Sequence, residues 1–165
     1  MSLERPPDLD VREILRTLAS ESVAYVLIGG LAAVLQGSPV NTVDVDLCFS
    51  REPVNLERLG RALIALDARL RGAPEDVPFV PDAATLRRVE VLTLTTRAGW
   101  LDVLQRPAGV AGYAPLRKRA DLMAIEDMEI PVASVKDLIA MKRAAGRSKD
   151  VRHLVELEAI VRLKR

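Results

Sequence analysis

Thr42-Val43-Asp44-Val45-Asp46-Leu47-Cys48-Phe49 alternates strictly between apolar residues and small or acidic ones. On a strand, successive side chains point to opposite faces. Val43, Val45, Leu47 and Phe49 therefore share one face, and Asp44, Asp46 and Cys48 the other. Two carboxylates at i and i+2 sit side by side, about 7 Å apart at the backbone, and repel each other unless something positive lies between them. One or two hard divalent ions would relieve that repulsion. The same triplet also suits the solvent-facing side of an edge strand, so Asp-Val-Asp alone leaves both readings open.

Toward the N-terminus, Val23 to Ile28 is a short apolar run that reads as a strand. It breaks at Gly29-Gly30, and a helix is expected from Leu31 to the stop signals Gly37-Ser38-Pro39. A strand that ends on two glycines and opens a helix presents free backbone N–H groups where a phosphate can approach closely. A tight turn with no ligand has the same sequence. Neither Gly-x-Gly-x-x-Gly nor a Walker loop is present, which argues against Rossmann and P-loop sites. Further upstream, Val11, Ile14, Leu15 and Leu18 fit one face of a helix that Asp8 or Asp10 can cap.

Toward the C-terminus, Pro53 suits a first helical turn, and Leu56, Leu59, Leu63, Leu66 and Leu70 continue with helical period. Gly72 to Asp82 holds three prolines and reads as a loop. Residues 89–96 and 100–105 read as two strands around Arg97-Ala98-Gly99. Asp102 lies inside Trp100-Leu101-Asp102-Val103-Leu104, where its neighbours favour burial and an aspartate needs a partner. A salt bridge or a loop hydrogen bond would serve as well as a metal. Residues 106–116 read as a loop, and 117–133 as a helical turn followed by a strand at Met128–Val132. Helices at roughly 135–145 and 149–163 close the chain, with Ser134 and Asp137 resembling a capping box. On the first of these, Lys142 falls in the middle of the stripe made by Val135, Leu138, Ile139 and Ala145. It must snorkel, pair with a carboxylate, or reach a phosphate in a polar cleft. Lys136, Arg143 and Arg147 point elsewhere and read as surface charges. His153, the one histidine, has no Ser or Cys partner suggested and reads as surface or packing.

The whole chain, 165 residues with 49% hydrophobic content, supports one packed domain: a core over about 8–133 and a helical part over 134–165. No apolar run is long enough to cross a bilayer, and Met-Ser-Leu-Glu-Arg-Pro-Pro is not a secretory signal. Cys48 is the one cysteine, which excludes an internal disulfide and suits a reducing, cytoplasmic setting. One Cys and one His cannot build a zinc site, so any metal is held by oxygens, which favours magnesium or manganese. Net charge is +1, but residues 117–165 hold 12 Lys/Arg against 8 Asp/Glu. That basic part suits an anionic partner such as nucleotide or RNA, or is an ordinary solvated helical surface. The five aromatics, Tyr25, Phe49, Phe79, Trp100 and Tyr113, give few stacking platforms for single-stranded bases.

Ile28-Gly29-Gly30, then Asp44-Val45-Asp46, then Asp102, in that order, resemble the nucleotidyltransferase superfamily typified by DNA polymerase beta. The stretch from Ser134 to Asp150 is similar to small members related to the toxin half of abortive-infection toxin–antitoxin pairs. Members of that group often carry Arg-x-Thr-x-Asp-x-Asp; here Val40 stands at the arginine position and Thr42 is retained. The resemblance implies an α/β (α+β) fold with a short mixed sheet, helices mainly on one face and two C-terminal helices. It implies transfer of a nucleoside monophosphate from an NTP to an acceptor hydroxyl. Asp44, Asp46 and Asp102 would hold magnesium or manganese, two ions in a two-metal arrangement, with Asp102 also receiving the acceptor's proton. Gly29 and Gly30 would cradle phosphates, with Ser38, Thr42 and Lys142 adding contacts. The acceptor would be tRNA or other RNA, a protein, or a small molecule such as an antibiotic, and the state a monomer or homodimer. The rival expectation is a catalytically weak nucleotide- or partner-binding module with a cognate antitoxin.

Overall fold

The structure is a computed structural model and describes residues 6–74, 76–146 and 150–164. Arg147 and the first residue of the expected 149–163 helix lie outside the described residues, as does the His153 side chain. The chain runs α1 (Val11–Ser20), β1 (Tyr25–Ile28), α2 (Gly29–Leu35), β2 (Asp44–Phe49), α3 (Pro53–Ala65), β3 (Arg69–Leu70) and α4 (Ala83–Arg88). It continues through β4 (Val91–Thr96), β5 (Gly99–Leu104), α5 (Tyr113–Arg119), β6 (Asp121–Ile125), β7 (Met128–Val132), α6 (Val135–Ala145) and α7 (Asp150–Leu163).

The strands form one seven-stranded mixed sheet in the order β3-β4-β5-β2-β1-β7-β6. β2 is central, antiparallel to β1 and parallel to β5. Its alternation is read out in burial. Val45, Leu47 and Phe49 are fully buried, together with Leu101 and Val103 of β5 and Leu27 of β1. Residues directly opposite one another share a face, so this apolar row belongs to the core, and Asp44, Asp46 and Asp102 lie on the other side of the same three strands. Asn55, in the first turn of α3, fixes one end of the β1–β2 pair. Its side chain accepts from Ala24 N at 2.7 Å and donates to Ala24 O at 3.0 Å and Ser50 O at 2.8 Å.

Two of the expected caps are present. Asp10 accepts from Glu13 N at 3.0 Å, and Ser134 accepts from Asp137 N at 3.1 Å. The capping box itself is not completed: the Asp137 carboxylate turns to Arg119, which donates through Nε and Nη2 at 2.9 Å each. At α2, the chain turns into the helix directly at Gly29, two residues earlier than expected.

The leucine period from Leu56 to Leu70 overstates α3. The helix stops at Ala65 because Asp67 takes a left-handed φ of 52°, while Ala68 N bonds Leu63 O and Asp67 N bonds Ile64 O, a helix-terminating pattern. Leu66 ends the helical stripe fully buried, and Leu70 belongs to the two-residue strand β3. The loops expected over 72–82 and 106–116 end in short helices, α4 capped by Asp82 and α5 starting at Tyr113. β6 was not expected: its residues are mostly exposed and carry no alternation, and a two-residue turn at Glu126-Asp127 pairs it to β7. Ala145, placed in the α6 stripe by its spacing, is exposed where the helix runs out to Gly146.

Candidate metal centre

The ladder aligns the acidic residues. Asp46 lies opposite Asp102 of β5 on one side and Ile28 of β1 on the other, and Asp44 lies opposite Trp100. Asp44, Asp46 and Asp102 each offer one carboxylate oxygen, and the three oxygens lie within 4.8 Å of one another. Oxygens on opposite sides of an octahedral magnesium are about 4 Å apart, so a small side-chain rotation converts this set into ion ligands. All three residues are half-buried. The electrostatics fit the same reading. Burial first, and then the neighbouring charges of Asp44 and Asp102, push the Asp46 carboxyl up to about 8. Asp102 is also raised, chiefly by burial, against the lowering influence of Arg71. A donor set of three hard oxygens, with Asp46 and Asp102 held back from ionising, fits a divalent cation.

Gly29 is dictated by this cluster. Its φ is +71°, and a Cβ there would fall 2.2 Å from Asp46 Oδ2 and 2.8 Å from Asp46 Cγ. The end of β1 thus passes directly over the Asp46 carboxylate, an approach that only glycine permits. Gly30 is covered by Thr42, whose Oγ1 would be 3.1 Å from an added Cβ. The Thr42 hydroxyl donates to Asp44 O at 2.8 Å and so shapes the turn that delivers Asp44.

The sequence reading missed Arg71. Arg69 and Leu70 of β3 pair with Thr95 and Leu94 of β4, and Arg71 N bonds Thr93 O, so Arg71 continues that register. Thr93 in turn lies opposite Asp102. One sheet row therefore reads Arg71, Thr93, Asp102, Asp46, Ile28. Arg71 Nη2 donates to Asp102 Oδ1 at 2.7 Å and to Leu94 O at 2.9 Å. Its guanidinium lies over the Trp100 ring, 4.4 Å from the centroid. Its Nε is buried without a hydrogen-bond partner.

Neither a protein-family model nor a curated protein sequence matches the chain. Solved structures do match. The lincosamide antibiotic adenylyltransferase LnuA, bound to lincomycin, aligns with a TM-score of 0.60 at 16% identity, over 93% of this chain and 99% of that one. TM1012 of Thermotoga maritima, assigned provisionally to the nucleotidyltransferases, aligns at 0.58 with 19% identity over 87% of each chain. ANT(2")-Ia, in complex with adenylyl-2"-tobramycin, aligns at 0.55 with 16% identity, over 91% of this chain and 84% of that one. The chain has the nucleotidyltransferase fold.

Within the nucleotidyltransferase fold, the other residues singled out from the sequence are placed as follows. Ser38 is buried and turned to α7. Its hydroxyl donates to Glu156 Oε2 at 3.4 Å and accepts from Val40 N at 3.3 Å. Lys142 is half-buried on α6, which packs against α2 and α7. A surface groove of about 740 Å³ lies beyond the Tyr25 end of β1, away from the carboxylates, between Arg16, Tyr25, Tyr113 and Glu129. Ligand chemistry, not concavity, singles out the three carboxylates as the candidate site. Among the described residues, no helix is long and apolar enough to cross a membrane.

Proposed function

We propose that this protein is a divalent-metal-dependent nucleotidyltransferase that moves a nucleoside monophosphate from an NTP to an acceptor hydroxyl. The observation that carries the reading is the convergence of Asp44, Asp46 and Asp102 within 4.8 Å on the nucleotidyltransferase fold. Asp44, Asp46 and Asp102 would hold magnesium or manganese, which would supply positive charge to offset the triphosphate and the charge that develops as it is attacked. The acceptor oxygen forms a bond to the α-phosphorus as the bond to the β-phosphate oxygen breaks, and pyrophosphate leaves. Asp102 receives the acceptor's proton. The backbone at Gly29 and Gly30, which already lies against Asp46 and Thr42, receives the β- and γ-phosphates. Thr42 keeps Asp44 in register, and Lys142 meets phosphate from α6.

The likeness to LnuA, whose chain is matched almost end to end, favours a small hydroxyl-bearing acceptor over a polymer. The test is magnesium-dependent transfer from each α-labelled NTP to three acceptor pools: hydroxyl-bearing small molecules, total RNA and extract protein. Wild type is compared with Asp46→Ala, both checked for folding. Label that appears with wild type and vanishes with the variant supports the reading and identifies the acceptor class. Absence of label together with absence of metal and NTP binding overturns it.

A further inference from the structure

Arg71 is a basic side chain hydrogen-bonded to the acidic row. It comes from the far side of β4, and its guanidinium reaches across Thr93 to Asp102. Three features describe its seat. Nη2 is shared between Asp102 Oδ1 and Leu94 O, Trp100 lies beneath the guanidinium, and Nε is buried with nothing to bond. The first two hold a cation in place; the third leaves the seat incompletely satisfied, which lowers the cost of leaving it. A fixed positive charge bonded to one oxygen of Asp102 also opposes a metal ion brought to that carboxylate, because the two cations would lie within a few ångströms in a half-buried site.

Resting on the metal-site reading above, we propose that Arg71 is a positioning residue that takes the place of a cation at Asp102. The resting site then accepts one divalent ion through Asp44 and Asp46, and a second ion at Asp102 enters only when Arg71 withdraws. Asp102 is thereby kept in place on the sheet row, yet is withheld from metal until something competes for the guanidinium. An anionic substrate group such as a triphosphate has the chemistry to do so.

A merely structural Arg71, tying β3 to the sheet, predicts that its loss weakens metal binding or leaves it unchanged. The proposal predicts the opposite sign. Manganese binding to the full chain without nucleotide is followed by the electron paramagnetic resonance signal of the free ion. Wild type is compared with Arg71→Gln, Arg71→Lys, Asp46→Asn and Arg71→Gln/Asp102→Asn. Glutamine can still donate to Leu94 O, so the neutral variant keeps one anchor of the seat, and melting curves confirm each fold. Wild type is expected to bind one ion. Arg71→Gln is expected to bind a second, or the first about tenfold more tightly. Arg71→Lys keeps the charge and behaves as wild type. Removing Asp102 as well abolishes the gain. Should Arg71→Gln not fold, Arg71→Lys against wild type, each titrated with manganese in the presence of a non-hydrolysable NTP, decides: equal stoichiometry with and without nucleotide overturns the proposal. Asp46-dependent binding with no gain in Arg71→Gln, or two ions in wild type at rest, overturns the role of Arg71 alone. Binding that is absent, or equal in wild type and Asp46→Asn, overturns the metal centre with it.

Discussion

Replacing Asp46 by Asn should stabilise the metal-free protein at alkaline pH and leave it nearly unchanged at acidic pH. The Asp46 carboxyl is raised from an ordinary 3.8 to about 8, first by burial and then by Asp44 and Asp102. Between those two values the folded chain keeps a proton that the unfolded chain has lost. Raising the pH therefore favours unfolding across this window, and the loss is complete above about 8. At about 1.4 kcal/mol per pKa unit the full shift sets a ceiling of about 6 kcal/mol. Coupling to the raised Asp102, and water reaching a half-buried site, bring the expected effect to about 2–4 kcal/mol. For a chain of this length that is a rise in Tm of roughly 5–10 °C. The assay is thermal unfolding in chelator from pH 5 to 9, repeated with saturating magnesium. In chelator, wild type should lose stability toward pH 9 while Asp46→Asn keeps a shallower slope, due to the raised Asp102. With magnesium, wild type should recover at high pH, where the ligands are ionised, and the variant should gain much less. Parallel curves for the two proteins in chelator, or a variant less stable at pH 9, would refute the reasoning.

Gly29→Ala should cost about 2–4 kcal/mol, because its Cβ would meet Asp46 Oδ2 at 2.2 Å and φ is +71°. Displacement of Asp46 should also weaken manganese binding at least about tenfold, a loss that titration of the folded variant would show. Asn55→Ala removes three hydrogen bonds to Ala24 and Ser50. It should lower the urea stability by about 2–4 kcal/mol while leaving the carboxylates in place.

What the sequence shows plainly is whatever a local period encodes. The alternation gives the core face of β2 through Val45, Leu47 and Phe49 and its acidic face through Asp44 and Asp46, while Val43 lies exposed before the strand and Cys48 is buried; Asp102 stands out because its neighbours Leu101 and Val103 are core residues. The α6 limits, 135–145, follow from Ser134 and Gly146. Arg71 is invisible for the converse reason. The leucine period carries a helix reading through Leu70, and nothing local reports that Asp67 adopts a left-handed conformation and turns Arg69–Leu70 into an edge strand. Arg71 meets Asp102 only through that strand's register, 31 residues away. Asp137 was misread in the same way. Its spacing from Ser134 suggests a capping box, but its partner Arg119 is supplied by α5, which begins within the stretch that reads as loop and ends in the one that reads as a helical turn.

The register that builds the core also builds the site. Asp46 faces Asp102 because Val45 faces Leu101 and Leu47 faces Val103, all four fully buried. A slip of one residue in β2 would turn Val45 and Leu47 toward the acidic side and bury Asp44 and Asp46 in the core, so the apolar row strongly forbids it. The three carboxylates are therefore held together by packing on the opposite face of the sheet, despite their mutual repulsion. That repulsion raises the Asp46 carboxyl, and at Asp102 it is met by Arg71. A cation that binds this row replaces a proton and competes with a guanidinium. Metal affinity at this site should accordingly depend on pH through Asp46 and on charge through Arg71, two handles that β4 and β5 separate in the sheet and that meet at Asp102.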